Sequence, residues 1–330
     1  MYYRLWRASR PPCVFELHLR ATFAGILAGV MLRSMPGSLM VRLMDEVASM
    51  LLAENLPPTS RHVTRLVDSF VQIAELSRKE RPFLRRQRHS IALHFDLFAL
   101  QSEMLLDAPD ELIVGYTQTM MGFLLFHPMP SSIGMIGLGG GSLTKFCYRY
   151  LPLAAIAVAE IDRDVIALRE EFCIPEDDER LQVQCVDGAD FVRQTPERFD
   201  VLLVDGFDKN GQPPQLCSHQ FYDDCYRALA PGGILVVNLL ADDEETVQYL
   251  DRLHTAFDDA VIVIDAFDSM NKIAFACRGN ALAMDGKTLK HRVDALRDDI
   301  PLVLDLTAKS LLSARRAITF PALFQAFDIA

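Results

Sequence analysis

The stretch from residue 133 to residue 146, IGMIGLGGGSLTKF, constrains the fold of this 330-residue chain more than any other. A short apolar run leads into a turn that contains Gly137, Gly139 and Gly141, and residues with helical spacing follow. A strand that meets a helix over a bound nucleotide has this pattern, because glycine lets the backbone come close to the ligand. A tight left-handed turn without a ligand would contain similar glycines. The turn therefore indicates a nucleotide site but does not establish one.

Three further apolar runs each end in an acid, at Glu160, Asp187 and Asp205. Glu160 lies 19 residues after Gly141, close to the spacing of about 20 residues at which a carboxylate binds the ribose hydroxyls of a nucleotide. In an open parallel sheet, ligands bind outside the carboxyl ends of the strands. We therefore expect the three carboxylates to line one crevice.

Strands alternate with helices through the middle of the chain, which predicts an α/β fold with a doubly wound, Rossmann-like and mostly parallel sheet. One antiparallel strand is expected near its end. The predicted domains are a helical N-terminal extension of unknown role (1–80), a small β-rich segment with a connecting helix from residue 116 (81–127), the nucleotide-binding domain (128–280) and a helical C-terminal tail (281–330).

The composition narrows the classes of partner. A net charge of -11 disfavours nucleic-acid binding, which requires a basic surface, and suits a small cationic substrate. Seven cysteines without a C-x-x-C pair or zinc-type histidine spacing predict reduced, buried thiols and no metal. Reduced thiols indicate a cytoplasmic protein. The apolar stretch ATFAGILAGVML near the N-terminus is too short to cross a bilayer, so we expect no membrane span.

Two kinds of nucleotide site fit the glycine-rich turn. A nicotinamide enzyme would use the same turn and Glu160, but it would usually have a third glycine in place of Ser142 and would not need Asp187 and Asp205. An adenosyl sulfonium such as S-adenosylmethionine fits the whole set better. The glycines would then lie under its methionine-like end, Glu160 at the ribose and Asp187 beside the adenine amino group.

The region from about residue 96 to residue 239 resembles the polyamine aminopropyltransferases, spermidine synthase and its relatives. The resemblance rests on the order and spacing of the motifs GLGGGS, AEIDRDVI, VDGADFV, FDVLLVDGFD and FYDDCYRALAPGG. It implies a sheet of the class I methyltransferase type. It also implies a homodimeric enzyme of polyamine biosynthesis that moves an aminopropyl group from decarboxylated S-adenosylmethionine to a small cationic amine.

The resemblance implies roles for individual residues as well. Asp205 would be the base that receives a proton from the attacking amine, Asp208 would help to hold that amine, and Tyr116 would belong to the amine pocket. The implied cofactor-binding residues are Gln101, Gly137, Gly139, Gly141, Glu160, Asp187 and Gly188, with Glu160 at the ribose and Asp187 and Gly188 at the adenine.

The chain departs from the family pattern near the amine. Ser142 stands where the turn of the family continues into an acid, and Lys209 and Gln212 replace two prolines in the loop after Asp205. A hydroxyl cannot pair with an ammonium group as a carboxylate can. Two alternatives therefore stay open: a methyltransferase that uses intact S-adenosylmethionine, and a nucleotide-binding relative without turnover.

Overall fold

The computed structural model describes five segments of the chain: 81–95, 100–208, 211–241, 245–267 and 270–325. All of them belong to one compact unit, Glu80–Ala330. The predicted N-terminal extension, 1–80, lies outside the described residues. Within the five segments, no helix is both long enough and apolar enough to cross a membrane.

A small antiparallel sheet comes first along the described chain. Its strands are β1 (Phe83–Arg86), β2 (Ser90–His94) and β3 (Leu100–Leu105), in that spatial order. Leu93 pairs with Ser102 and His94 pairs with Leu100, so Gln101 is an extra residue in β3 and forms a β-bulge. Bulges re-aim side chains and are frequent beside active sites.

A seven-stranded sheet forms the centre of the fold. Its strands are β4 (Ser132–Ile136), β5 (Ala155–Glu160), β6 (Leu181–Cys185), β7 (Phe199–Val204), β8 (Leu229–Leu240), β9 (Val261–Asp265) and β10 (Asn271–Cys277). The spatial order is β6-β5-β4-β7-β8-β10-β9. The pairs from β6 to β8 are parallel, whereas β10 is antiparallel to both of its neighbours. The predicted sheet, with its antiparallel strand near the end, is confirmed.

Helices cover both faces of this sheet. They are α1 (Gly115–Met120), α2 (Ser142–Tyr150), α3 (Arg163–Ile166), α4 (Gly188–Arg193), α5 (His219–Ala228), α6 (Thr246–Ala256), α7 (Gly286–Leu296) and α8 (Leu304–Gln325). Strand β7 shows the alternation: Leu203 belongs to one core cluster with Phe146 of α2, and Leu202 belongs to a second cluster with Phe221 of α5. Because both faces are buried, the central strands are continuous apolar runs rather than alternating ones.

The connecting helix differs from the sequence-based expectation of one helix from residue 116 to residue 127. Helix α1 ends at Met120 and the chain tightens into a 3-10 helix, Met121–Leu125. Gly122 packs closely there, because a Cβ at this residue would lie 2.7 Å from Cγ2 of Thr307 and 3.0 Å from the ring of Phe275. Close packing around a poor helix former accounts for the change.

Candidate functional site

The glycine-rich turn lies across the carboxyl end of the seven-stranded sheet. The N–H of Gly137 donates to the carbonyl of Ala159 at 2.9 Å, and the N–H of Asp205 donates to the carbonyl of Ile136 at 2.9 Å. Gly137 has a φ of +93°, and a Cβ there would lie 2.2 Å from the carbonyl oxygen of Asp205. Glycine is therefore required at this position by both the backbone angle and the available space.

The rest of the turn leads into α2. Gly139 faces β3, where the nearest atom to a Cβ built on it would be Cβ of Ser102, at 3.9 Å. Gly141 is the N-cap of α2 and packs against Ile174. The turn thus lies beside the first backbone N–H groups of α2, which are not bonded within the helix and carry the positive end of its dipole.

Glu160 ties the turn to the end of β5. Its Oε2 accepts a hydrogen bond from the N–H of Leu138 at 2.8 Å, and its Oε1 accepts one from the N–H of Asp162 at 2.9 Å. Burial raises the pKa of Glu160, and the backbone hydrogen bonds oppose part of that rise. This structural role is not evident from the sequence. A carboxylate oxygen can accept more than one hydrogen bond, so Glu160 can hold the turn and still accept a bond from a ligand hydroxyl.

Asp205 has a hydrogen-bond donor on each carboxylate oxygen. The amide Nδ2 of Asn238 donates to Oδ1 at 2.8 Å, and the hydroxyl of Tyr116 donates to Oδ2 at 3.1 Å. Burial raises the pKa of Asp205 above its ordinary value, whereas the two hydrogen bonds lower it. Burial and the adjacent carboxyl raise the pKa of Tyr116, so its phenol stays protonated and acts as a donor. The result is an oriented carboxylate with an increased affinity for protons.

Two asparagines that the sequence analysis missed support this carboxylate. Asn271, at the start of β10, donates through Nδ2 to Oδ1 of Asn238 at 2.8 Å, which leaves Nδ2 of Asn238 directed at Asp205. Asn238 is almost fully buried in β8. A polar residue inside the apolar run ILVVNLL is a signal that could have identified Asn238. Asn271 gives no comparable signal, because its position depends on the pairing of β8 with β10.

Asp187 and Gly188 lie at the junction of β6 and α4. Asp187 is the N-cap of α4 and accepts hydrogen bonds from the N–H of Ala189 at 2.7 Å and from Nε2 of Gln215 at 3.3 Å. A Cβ at Gly188 would lie 2.4 Å from Cγ2 of Ile136, the last residue of β4. The junction after β6 therefore packs directly against the strand that leads into the glycine-rich turn.

The three acids at the strand ends share one edge of the sheet. Glu160 pairs with Cys185 across β5 and β6, and the N–H of Val186 donates to the carbonyl of Glu160 at 3.1 Å, so Asp187 follows at the same level. Asp205 is joined to the end of β4 by its own N–H. The structure therefore brings Glu160, Asp187 and Asp205 to the edge that the glycine-rich turn occupies. Their roles in binding and catalysis stay predictions.

Asp208 and Gln101 are near the glycine-rich turn and Asp205 only through neighbouring residues. Asp208 is exposed, and its N–H donates to the carbonyl of Gly211 at 2.9 Å, which closes a tight loop after β7. Gln101 is half-buried at the bulge of β3. Its neighbour Ser102 has its hydroxyl oxygen 3.3 Å from that of Ser142 at the start of α2. Gln101 is thus adjacent to the residue through which β3 contacts the glycine-rich turn.

Carboxylates and hydrogen-bond donors are the polar groups that meet at this edge of the sheet. In the described part of the chain, no group of three or more His, Cys, Asp or Glu side chains is arranged to hold a metal ion. The charged groups that converge are carboxylates, with hydroxyl and amide donors around one of them. Such a site can bind a ligand rich in donors and accept a proton from it.

Sequence comparison with known proteins indicates one family. A family model described as the spermine/spermidine synthase domain matches residues 114–271. The chain is 36% identical over 206 residues to a polyamine aminopropyltransferase of Chromobacterium violaceum, which covers 62% of this chain and 79% of that protein. A polyamine aminopropyltransferase of Neisseria meningitidis serogroup A is 34% identical over 207 residues, with the same coverage of 62% and 79%.

Among solved structures, the chain is similar to a probable spermidine synthase from Corynebacterium glutamicum. The TM-score is 0.53 and the sequence identity 17%, and the match covers 71% of this chain and 91% of that one. At this level of identity the similarity shows a shared fold. It agrees with the seven-stranded, mostly parallel sheet described above.

Proposed function

The chain belongs to the spermine/spermidine synthase family, and on this basis we propose that it transfers an aminopropyl group from decarboxylated S-adenosylmethionine to an amine acceptor, in polyamine biosynthesis. The observation that carries the proposal is the Asp205 carboxylate, held between Tyr116 and Asn238 beside the glycine-rich turn. The relatives from Chromobacterium and Neisseria are both named polyamine aminopropyltransferases.

The reaction requires a base more than it requires an acid. An alkylammonium ion has a pKa near 10 and has no lone pair for attack until it loses a proton. Asp205 accepts that proton. The freed nitrogen then attacks the carbon of the aminopropyl group that is bonded to the sulfonium sulfur. The carbon–sulfur bond breaks, its electron pair goes to sulfur, and neutral methylthioadenosine leaves. No general acid is needed, because the departing thioether carries no charge.

The remaining predicted residues hold the donor. Glu160 binds the ribose hydroxyls with the acceptor capacity that its backbone bonds leave, and Asp187 with Gly188 binds the adenine. The turn from Gly137 to Gly141 lies under the sulfonium end, and Gln101 meets the donor from the small sheet. Asp208 and Tyr116 orient the acceptor.

The amine acceptor cannot be held by an ion pair at Ser142, as a simple diamine would be held by the acid of the family pattern. Ser142 provides a hydroxyl, close to that of Ser102, where the family pattern has an acid for the far amino group. We therefore propose an amine acceptor that does not depend on a second ion pair at this position. The negative net charge of the chain favours the approach of a cation.

The proposal extends to the cellular setting. None of the six cysteines in the described segments forms a disulfide, which suits the reducing conditions of the cytoplasm. We propose a cytoplasmic enzyme that acts as a homodimer on small molecules.

The test is to incubate the purified protein with decarboxylated S-adenosylmethionine and a panel of monoamines, diamines and polyamines, and to measure methylthioadenosine. We expect release with at least one amine and a loss of at least about a hundredfold in rate for Asp205→Asn, which removes the base. Asp223→Asn, an exposed acid on α5, serves as the matched control and should keep full activity. No release above background with any amine would contradict the proposal.

A further inference from the structure

The side-chain amide of Gln212 is buried without a hydrogen-bond partner. Only 9% of this residue is exposed. Neither Nε2 nor Oε1 has a partner among the residues that the structure describes, and neither atom is reached by solvent. A buried amide that is unbonded at both ends is unfavourable, and native proteins seldom keep one without a use for it.

Gln212 lies in a loop that spans the proposed donor site. On one side of it, Gly211 pairs with Asp208, in the segment that follows the proposed base. On the other side, Gln215 donates to the carboxylate of Asp187, which we assign to the adenine. Along the chain, Gln212 therefore lies between a residue paired with Asp208 and a residue bonded to Asp187.

The same loop packs on the strand ends through Leu216. A Cβ at Gly188 would lie 3.1 Å from Leu216 Cδ2, and one at Gly206 would lie 2.6 Å from Leu216 Cδ1. Gly188 follows β6 and Gly206 follows β7, so Leu216 packs against the segments that leave both strands. The loop thus covers the edge of the sheet where the adenine is assigned, with Gln212 four residues earlier in it.

We infer that Gln212 is a specificity-determining residue that pairs with the edge of the adenine ring; this inference rests on the proposed function. A glutamine amide offers one acceptor and one donor side by side, and adenine offers the complementary pair in its N6 amino group and its N7 nitrogen. The side chain rotates toward the ligand when the donor binds. The rotation breaks no hydrogen bond to a described residue, because Nε2 and Oε1 make none there.

The amine acceptor is a poorer partner for this side chain. An ammonium group has donors and no acceptor, so it would satisfy Oε1 and leave Nε2 unbonded. The adenine edge satisfies both atoms. The family pattern has proline at this position, which cannot form either bond, so the contact is a property of this chain rather than a feature carried over from the family.

A binding cycle tests the inference. Calorimetry measures the affinity of wild-type protein and Gln212→Leu for 5′-methylthioadenosine and for its 7-deaza analogue, in which carbon replaces N7. We expect wild type to prefer the natural compound by roughly tenfold, and the Leu variant to bind both compounds equally and more weakly. The melting temperature of the free Leu variant should stay the same or rise, because the substitution removes a buried unbonded amide. The exposed Gln194→Leu is the matched control and should behave as wild type.

Each other outcome overturns the inference. Gln212 does not bind the adenine edge if Gln212→Leu still prefers 5′-methylthioadenosine to the 7-deaza analogue, or if wild type shows no such preference. A lowered melting temperature with an unchanged preference shows a purely structural role. Only the Gln212 inference fails if methylthioadenosine is released in the presence of an amine, but the loss of affinity on replacing N7 is the same in wild type and Gln212→Leu. If neither adenosyl compound binds, the proposed function fails with it.

Discussion

Asp205 is subject to two opposing influences. Burial makes ionisation of its carboxyl less favourable, while the hydrogen bonds from Asn238 and Tyr116 stabilise the ionised form. The net effect is a raised pKa. A base with a raised pKa accepts a proton from an ammonium more readily, but it also becomes protonated, and inactive, at a higher pH.

This balance predicts the pH dependence of a Tyr116→Phe variant. Removing the phenol removes a hydrogen bond that lowers the pKa of Asp205, so that pKa rises further. As the proposed base, Asp205 acts in its ionised form, so activity should be lost as the pH falls through this pKa. The acid limb of the rate profile should therefore move to higher pH, as measured by methylthioadenosine release between pH 5 and pH 9.

The control for this substitution is Tyr148→Phe. The hydroxyl of Tyr148 bonds to Asp178 at the surface, so the same loss of one phenol occurs away from the site. Its acid limb should coincide with that of wild type. An acid limb of Tyr116→Phe that stays in place or moves to lower pH would show that Tyr116 does not stabilise the ionised base.

At the scale of elements, the functional unit is the path from β4 through the glycine-rich turn into α2. The turn passes so close to the end of β7 that the backbone of Asp205 occupies the space of a side chain at Gly137. The geometry of Asp205 and that of the turn are therefore coupled, and a change at the turn should displace both.

Gly137→Ala is expected to be severe for this reason. It combines an unfavourable positive φ with a 2.2 Å contact to rigid backbone, and should lower the free energy of unfolding by more than about 3 kcal/mol. Gly232→Ala is the matched control, since Gly232 also has a positive φ of 84° but no atom within 4 Å of its Cβ position. It should cost about 1 kcal/mol. Equal losses in urea unfolding would contradict the assigned contact.

At the scale of the whole molecule, the site lies where the strand order reverses. From β4 the chain moves first to β5 and β6 on one side and then to β7 and β8 on the other. A crevice forms at such a switch point because the connections leave in opposite directions. The glycine-rich turn and the three acids meet at this point.

Much of this arrangement could be predicted from the sequence, because parallel strands place their carboxyl ends together. Both the fold and the shared edge could therefore be predicted from the order of the glycines, Glu160, Asp187 and Asp205 along the chain. The bonds around Asp205 could not be predicted, since Asn238 and Asn271 meet only through an antiparallel pairing distant in sequence. The second role of Glu160, holding the turn, likewise depends on tertiary contacts.

We propose that this chain moves an aminopropyl group and uses Asp205 as the base. The most direct measurement is mass spectrometry of the acceptor amine after incubation with decarboxylated S-adenosylmethionine and intact S-adenosylmethionine together, for wild type and Asp205→Asn. We expect an amine that gains one aminopropyl group with wild type and almost no such product with the variant. An amine that gains a methyl group instead, or that gains aminopropyl equally with both proteins, would contradict it.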